Sequence, residues 1–476
     1  MRRHPPSLVL IWLDALPGDL LREMYWRGEL PNLAEYFEDG VFIEHAISCL
    51  PTVSESNEGG IATGLFAGET NMLGERYFSR RRATMMHYKY NARPDDDFGG
   101  RLRARSIDAV VGDAVGMGRL LREGFTTIVD LVASHYERSG SLRIVERRLE
   151  TASRVARSRK PRLLFFTVSA DYIAHVSGSR GAELRAFLRE FDKCFPMLAE
   201  ALREAYGEEG YAVFVFSDHG VSDVSRHLNL PSLLEGYGFR PLDTGLISEQ
   251  ECDVAALSNG RRSGLVYVAH PSEGWRKRPS YKLLRNYPLR GSALDLPGLL
   301  AREEGVDLVL LRRGKSVVIV SRDGEAVIEH DSSSGKYRYR VLKGDDPLAY
   351  GAEGVWMSEE EWLRASYRTE HPDLIVQAYN LFKSPNCGDL VLTAAEGWDF
   401  WEEWDVPYPR LRASHGGFSR AEMDSFVLGR GPCLREGVVP VARLLDLYAT
   451  IVTYYRAGHL AYDSHAVERL VTPEPS

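Results

Sequence analysis

The chain has 476 residues, a formal net charge of -8 at pH 7 and a sequence pI near 6.0. That length can bury the core of one large domain with insertions or of two to three smaller ones, and the acid excess excludes the basic footprint of a nucleic-acid binder. Five cysteines, Cys49, Cys194, Cys252, Cys387 and Cys433, are scattered without a C-x-x-C spacing, which predicts reduced thiols and a cytoplasmic location.

The apolar run at residues 8–13 predicts a buried strand that ends in Asp14. It is too short for a span, so neither a signal peptide nor a membrane helix is expected. Helices are expected through Leu20, Leu21 and Met24, and again from Pro31 to a stop at Gly40. A strand over 41–49 leads into Pro51, Thr52, Val53 and Ser54, with Asn57 three residues on. Ser54 reads either as the first residue of a short helix whose free N–H groups face an anion or as that helix's cap. Residues 76–105 form a basic and polar stretch around Asp95–Asp97, expected to be a solvated excursion. The spacing over 141–157 is that of an amphipathic helix.

A third apolar run, 163–168, leads to Asp171, with His175 four residues on. On a helix those two side chains share a face, close enough to hold one ion. A long helix is expected over 183–206, kinked or broken at Pro196. The run 211–216, β-branched and aromatic without alternation, reads as a strand buried on both faces. It ends in Ser217, Asp218, His219 and Gly220, where ligands bind in open α/β sheets.

From 231 to about 369 the texture becomes β-rich: strands near 264–269 and 306–311, a hairpin over 316–330, a half-exposed strand over 336–341 and a capped helix at Ser358. The fold class predicted is α/β, a doubly wound, mostly parallel sheet with helices on both faces and an inserted β-rich subdomain. The division is 1–230, core; 231–369, insert; 370–476, core resuming at 373–377 and 389–393 and closing with a helix from Pro440. Residues 398–404 are rich in aromatics, and the glycine-flanked His415 sits on a loop.

Three buried strands thus each deliver an acid at the carboxyl end. Asp14, Asp171 and Asp218 with His175, His219 and His415 make six N/O donors, enough for two divalent ions once a nucleophile oxygen is added. Carboxylate and imidazole without thiolate suit zinc or manganese. Two such ions can clamp the attacking and leaving oxygens of an in-line displacement at phosphorus.

The order and spacing of these residues resemble the alkaline phosphatase superfamily, most closely its nucleotide pyrophosphatase/phosphodiesterase branch. That branch shows an acid after the first strand, P-T-x-T/S-x-x-N followed by T-G, then D-x-x-x-H, S-D-H-G and a late G-T-H-G. Here stand Asp14; Pro51, Thr52, Ser54, Asn57, Thr63 and Gly64; Asp171 and His175; Ser217 to Gly220; and Ser414, His415 and Gly416. The likeness spans residues 8 to about 431, and the insert adds little to it. It implies that Asp14, Asp218, His219 and the Ser54 oxygen hold one metal and that Asp171, His175 and His415 hold the other. Ser54 would attack phosphorus and become phosphorylated, and Asn57 would donate to a non-bridging oxygen. A small phosphate ester or nucleotide is the implied substrate.

This chain departs from the branch in carrying Ser at the nucleophile, Ser56 before the Asn, and Thr70 and Asn71 where a His-Gly pair is usual. The C/S-x-P-x-R of sulfatases is missing. A phosphomonoesterase or a phosphoglycerate-mutase-like phosphotransferase is the alternative, and a non-catalytic binding protein on the same fold ranks below both.

Overall fold

The computed structural model describes residues 6–87, 143–161, 163–242, 252–401, 411–432 and 434–454. Asp95–Asp97, Ser141, Leu142, Trp404 and Cys433, all considered above, lie outside the described residues.

The four apolar runs read from the sequence become Ser7–Trp12, Val41–Ile47, Leu163–Thr167 and Tyr211–Phe216, all in one six-stranded sheet. Its order is Gly437–Arg443, Val41–Ile47, Asp424–Arg430, Tyr211–Phe216, Ser7–Trp12, Leu163–Thr167. Asp424–Arg430 runs antiparallel to both its neighbours, and the other pairings are parallel. Every residue of Tyr211–Phe216 is buried. On one face Val9, Ile11, Val213 and Val215 pack against helices Gly18–Trp26, Pro31–Tyr36, Arg143–Arg159 and Ala182–Tyr206. On the other, Leu10, Phe214 and Phe216 meet Ile61 of helix Ser54–Thr63 and Leu447 and Ile451 of helix Asp446–Tyr454. With helices on both faces no strand edge turns a polar face to the core, which is why these runs lack alternation.

A second sheet of eight antiparallel strands follows. Its order is Trp356–Met357, Lys336–Gly344, Gly324–Asp331, Ser316–Val320, Val306–Arg313, Leu390–Ala394, Ser263–Val268, Val254–Asn259. The expected hairpin is there, with Val320 opposite Glu325, and Ser358 caps Glu359–Ser366 through a capping box with Glu361. Helix Ala182–Tyr206 runs through Pro196 without a break.

Four expectations fail. The stretch from 76 is not simply solvated: Arg76–Ser79 is a strand in which Arg76, Tyr77 and Phe78 are buried. Residues 373–377 do not resume the first sheet: Leu374–Leu381 is a helix, buried nearly all round, so its short apolar run carries no periodic signal of either kind. Leu390–Ala394 is a strand, but it pairs antiparallel with Val306–Arg313 and Ser263–Val268 in the second sheet. Pro440 opens no helix. It lies in the edge strand Gly437–Arg443, where a missing N–H costs least, and the helix begins at Asp446.

Where the two sheets approach, a buried ion pair ties them. Arg443, at the end of the edge strand, grips Asp373 through both carboxylate oxygens at 2.6 and 2.8 Å. Asp373 precedes helix Leu374–Leu381, whose Gln377 donates to the carbonyl of Ser48 and accepts from the N–H of Leu50. The pair therefore holds the segment that leads to Ser54. Because removing one partner leaves the other buried and unpaired, Arg443→Ala should cost about 3–5 kcal/mol, read as a lower urea midpoint. The double variant Arg443→Met, Asp373→Asn, which removes both charges and keeps a residue that tolerates the left-handed backbone at 373, should recover part of that loss.

Candidate active site

The parallel strands Ser7–Trp12, Leu163–Thr167 and Tyr211–Phe216 stand side by side, so their carboxyl ends bring three acids to one rim. Backbone bonds continue the sheet into the loops: Leu13 N–H donates to Phe216 O, Val168 N–H to Trp12 O and Ala170 N–H to Asp14 O. Ala15 N–H donates to Oδ1 of Asp218 at 3.0 Å, and Leu16 N–H to Oγ of Ser217 at 3.0 Å. The Asp218 carboxylate is thereby aimed by the main chain that follows Asp14.

Two groups of three result. Asp171, His175 and His415 each offer one donor atom within 4.8 Å of the others, and so do Asp14, Asp218 and His219. Asp171 opens the helix Asp171–Ser177, so Asp171 and His175 do share a face. The rings of His219 and His415 stack at a centroid distance of 4.2 Å, which joins the two groups into one site.

The three imidazoles are held alike. Nδ1 of His175 donates to the carbonyl of Ala413 at 2.7 Å, that of His219 to Gly220 O at 3.0 Å and that of His415 to Thr52 O at 3.1 Å. A carbonyl only accepts, so the proton sits on Nδ1 and Nε2 is the nitrogen turned to the carboxylates. Nε2 of His175 and His415 lie 3.2 and 3.5 Å from Oδ1 of Asp171, and Nε2 of His219 lies 3.2 Å from Oδ2 of Asp218. None of these contacts has hydrogen-bond geometry, and Oδ1 of Asp171, Oδ2 of Asp218 and Nε2 of His219 are buried without a hydrogen bond. Three orphaned donor atoms in one pocket are costly unless a cation completes them. The residues present therefore fit divalent ions.

Electrostatics agree. Burial, reinforced by Asp218 and Asp171, pushes Asp14 up to about 7, and burial also raises Asp218. Asp171 would rise by burial too, but His175 and His415 hold it well below the ordinary carboxylate range. Burial and the neighbouring His415 push His219 down to about 4. For His415, the Asp171 carboxylate outweighs burial and lifts it to about 9.

Ser54 is the first residue of helix Ser54–Thr63, with Val53 at the N-cap, so it is not the cap itself. Its hydroxyl donates to Oδ1 of Asp14 at 3.3 Å, and Oδ2 of Asp14 accepts from Ser169 at 2.7 Å. The helix packs tightly behind it: a Cβ on Gly60 would lie 2.6 Å from Sγ of Cys49. Asn57 does not join the site. Its Oδ1 accepts from Cys49 N–H at 2.8 Å and its Nδ2 donates to Val53 O at 3.1 Å, in a fully buried position. The amide secures the turn that presents Ser54, and the role expected for it at the phosphate is corrected accordingly.

Sequence reasoning missed Ser169, Thr52 and the turn 260–262. Gly260 O accepts from His415 N–H, and Arg262 N–H donates to His415 O. The β-rich region thus supplies the cradle of the last histidine. A polar residue two before Asp171 and two before Ser54 was the available signal for Ser169 and Thr52.

A family model, "Type I phosphodiesterase / nucleotide pyrophosphatase", matches residues 8–418. The chain belongs to that family of phosphoric ester hydrolases. Human bis(5'-adenosyl)-triphosphatase ENPP4 is 22% identical over 238 residues, 48% of this chain and 51% of the relative. The chain matches about half the length of that curated relative. Mouse ectonucleotide pyrophosphatase/phosphodiesterase 5, solved as an inactive variant with AMP, shares the fold at a TM-score of 0.57 and 15% identity, over 96% of this chain and 97% of that one. The human form gives 0.57 and 14%, over 98% and 99%.

The shift on Asp14 gives a pH test on metal-free protein. A carboxyl raised in the folded state stabilises it fully below the unfolded value of 3.8 and loses that contribution as pH rises through about 7. Asp14→Asn should therefore raise the melting temperature in chelator at pH 8 and leave it nearly unchanged below pH 4.

Proposed function

We propose that this protein hydrolyses phosphodiester or phosphoanhydride bonds of nucleotides through a covalent phosphoryl ester of Ser54, which keeps the remaining arm of the substrate on phosphorus, beside two divalent cations, most readily zinc, with manganese as the other choice. The observation that carries the reading is the meeting of two three-donor groups, with orphaned atoms between them, at a serine hydroxyl on a helix N-terminus.

Asp171, His175 and His415 would hold one ion; Asp14, Asp218, His219 and the Ser54 oxygen would hold the other. When bound, such ions supply Lewis-acid charge to the attacking and leaving oxygens. The chain's own residues do the rest. Asp14 accepts the hydrogen bond of the Ser54 hydroxyl and aims that oxygen into the site. The first turn of helix Ser54–Thr63 carries the positive end of its dipole, which favours the anionic phosphoryl group. Nδ1–H bonds to backbone carbonyls lock all three imidazoles, so no reorganisation is needed as charge develops. Ser54 Oγ then attacks phosphorus as its proton passes to Asp14, one ester or anhydride oxygen departs, and water cleaves the bond between Ser54 Oγ and phosphorus in the resulting seryl phosphodiester, freeing a phosphomonoester.

A nucleotide substrate is supported by the AMP seen in the mouse relative and by the name of the human one. Free thiols at Cys49, Cys194, Cys252 and Cys387, among the described residues, support the proposed cytoplasmic location. No described helix is long and apolar enough to cross a membrane.

Kinetics of the zinc-loaded protein test this. Turnover of bis-p-nitrophenyl phosphate should exceed that of p-nitrophenyl phosphate; the reverse order would favour the phosphomonoesterase. Ser54→Ala should lower turnover at least about a thousandfold with both ions still bound, and full activity in that variant would remove Ser54 as nucleophile.

A further inference from the structure

Outside the six donors, the most heavily bonded buried acid near the site is Glu422, which none of the motifs contains. It is fully buried. Its Oε1 accepts from Nε of Arg262 at 2.5 Å, from Ser222 Oγ at 2.7 Å and from Ser419 Oγ at 2.9 Å. Its Oε2 accepts from the N–H of Gly417 and, at 3.4 Å, from Oγ1 of Thr52. Burial alone would raise this carboxyl, but Arg262 and the two serine hydroxyls hold it below its ordinary value, so it is charged.

The contacts with Thr52, Arg262 and Gly417, together with the Glu422 main chain, lead to different walls of the site. Thr52 lies two residues before Ser54, and its carbonyl is the acceptor for Nδ1–H of His415. The Thr52 hydroxyl also accepts from Gly416 N–H at 3.0 Å and donates to Gly417 O at 2.8 Å. Arg262 donates its own N–H to His415 O, while its guanidinium reaches the carbonyls of Ala394, Ala395 and Trp398. Gly220, after His219, donates its N–H to the Glu422 carbonyl. A Cβ on Gly416 would overlap the carbonyl of Asn259, so the His415 loop has no room to drift.

We infer that Glu422, with Arg262 as its counter-ion, is the positioning residue of this site: one buried charge that fixes the His415 imidazole and the nucleophile loop together, and so sets the affinity of the ion held by Asp171, His175 and His415. This rests on the two-metal reading above. Glu422 touches no reacting atom; it acts through Thr52, Gly417 and Arg262. Outer partners of this kind commonly change metal affinity by about 10–100-fold.

Equilibrium dialysis of the full chain against zinc, with metal analysis, is the test. Wild-type protein should bind two ions, and Glu422→Gln should weaken one of them about 10–100-fold while the other stays within about twofold. The weakened ion should be the one lost in His415→Ala, and Glu422→Gln should add nothing in that background. Thr52→Val, which keeps the carbonyl but not the hydroxyl and spares the buried charge pair, should weaken the same ion about tenfold. Both ions at wild-type affinity in Glu422→Gln and Thr52→Val, or both weakened equally, would overturn the positioning role. A wild-type protein that binds no zinc would overturn the metal reading itself, and the positioning role with it.

Discussion

Three carboxylates and three imidazoles are gathered at the end of a buried parallel sheet, and the rest of the molecule is arranged to make that tolerable. Burial pushes Asp14 and Asp218 toward the neutral form, with repulsion from Asp218 and Asp171 adding to it at Asp14, while Asp171 stays ionised only by leaning on His175 and His415. Left to itself such a cluster opposes folding. Cations of high charge offset that cost, because they favour ionised carboxylates and neutral imidazoles together. The cost of assembling the site is thus the measure of how strongly it should hold metal.

The scaffold meets that cost with main-chain bonds and close packing. The acids sit where parallel strands end, and the N–H groups of Ala15 and Leu16 pin the Asp218 loop against the Asp14 loop. The imidazoles come from three different segments, yet each is fixed by a bond from Nδ1 to a backbone carbonyl. The second sheet completes the frame: its turn at 260–262 grips His415 from one side, and the Arg443–Asp373 pair anchors the approach to Ser54 from the other.

Much of this was legible in the residues themselves. Runs such as Tyr211–Phe216 are rich in β-branched and aromatic residues, which favours a strand over the buried helix that a short apolar run can also form, and the acid after three of them falls where sheet geometry puts ligands. Asp171 and His175 are four apart on a helix, a local relation that spacing reveals. What escaped was non-local. Asp424–Arg430 enters the middle of the first sheet antiparallel, and Leu390–Ala394 joins the second, choices set by partners distant in the chain rather than by their own sequence. Asn57 was misplaced for a related reason: position one turn after Ser54 does not say which side of the helix faces the substrate, and its amide turns inward to Cys49 and Val53.

The central claim is that this rim binds two cations side by side, each within its own set of donors. Anomalous diffraction from zinc-soaked crystals, recorded above and below the zinc edge, tests it most directly. Two peaks are predicted, one bounded by Asp171, His175 and His415 and one by Asp14, Asp218, His219 and the Ser54 hydroxyl. A single peak, or none at this rim, would contradict the account.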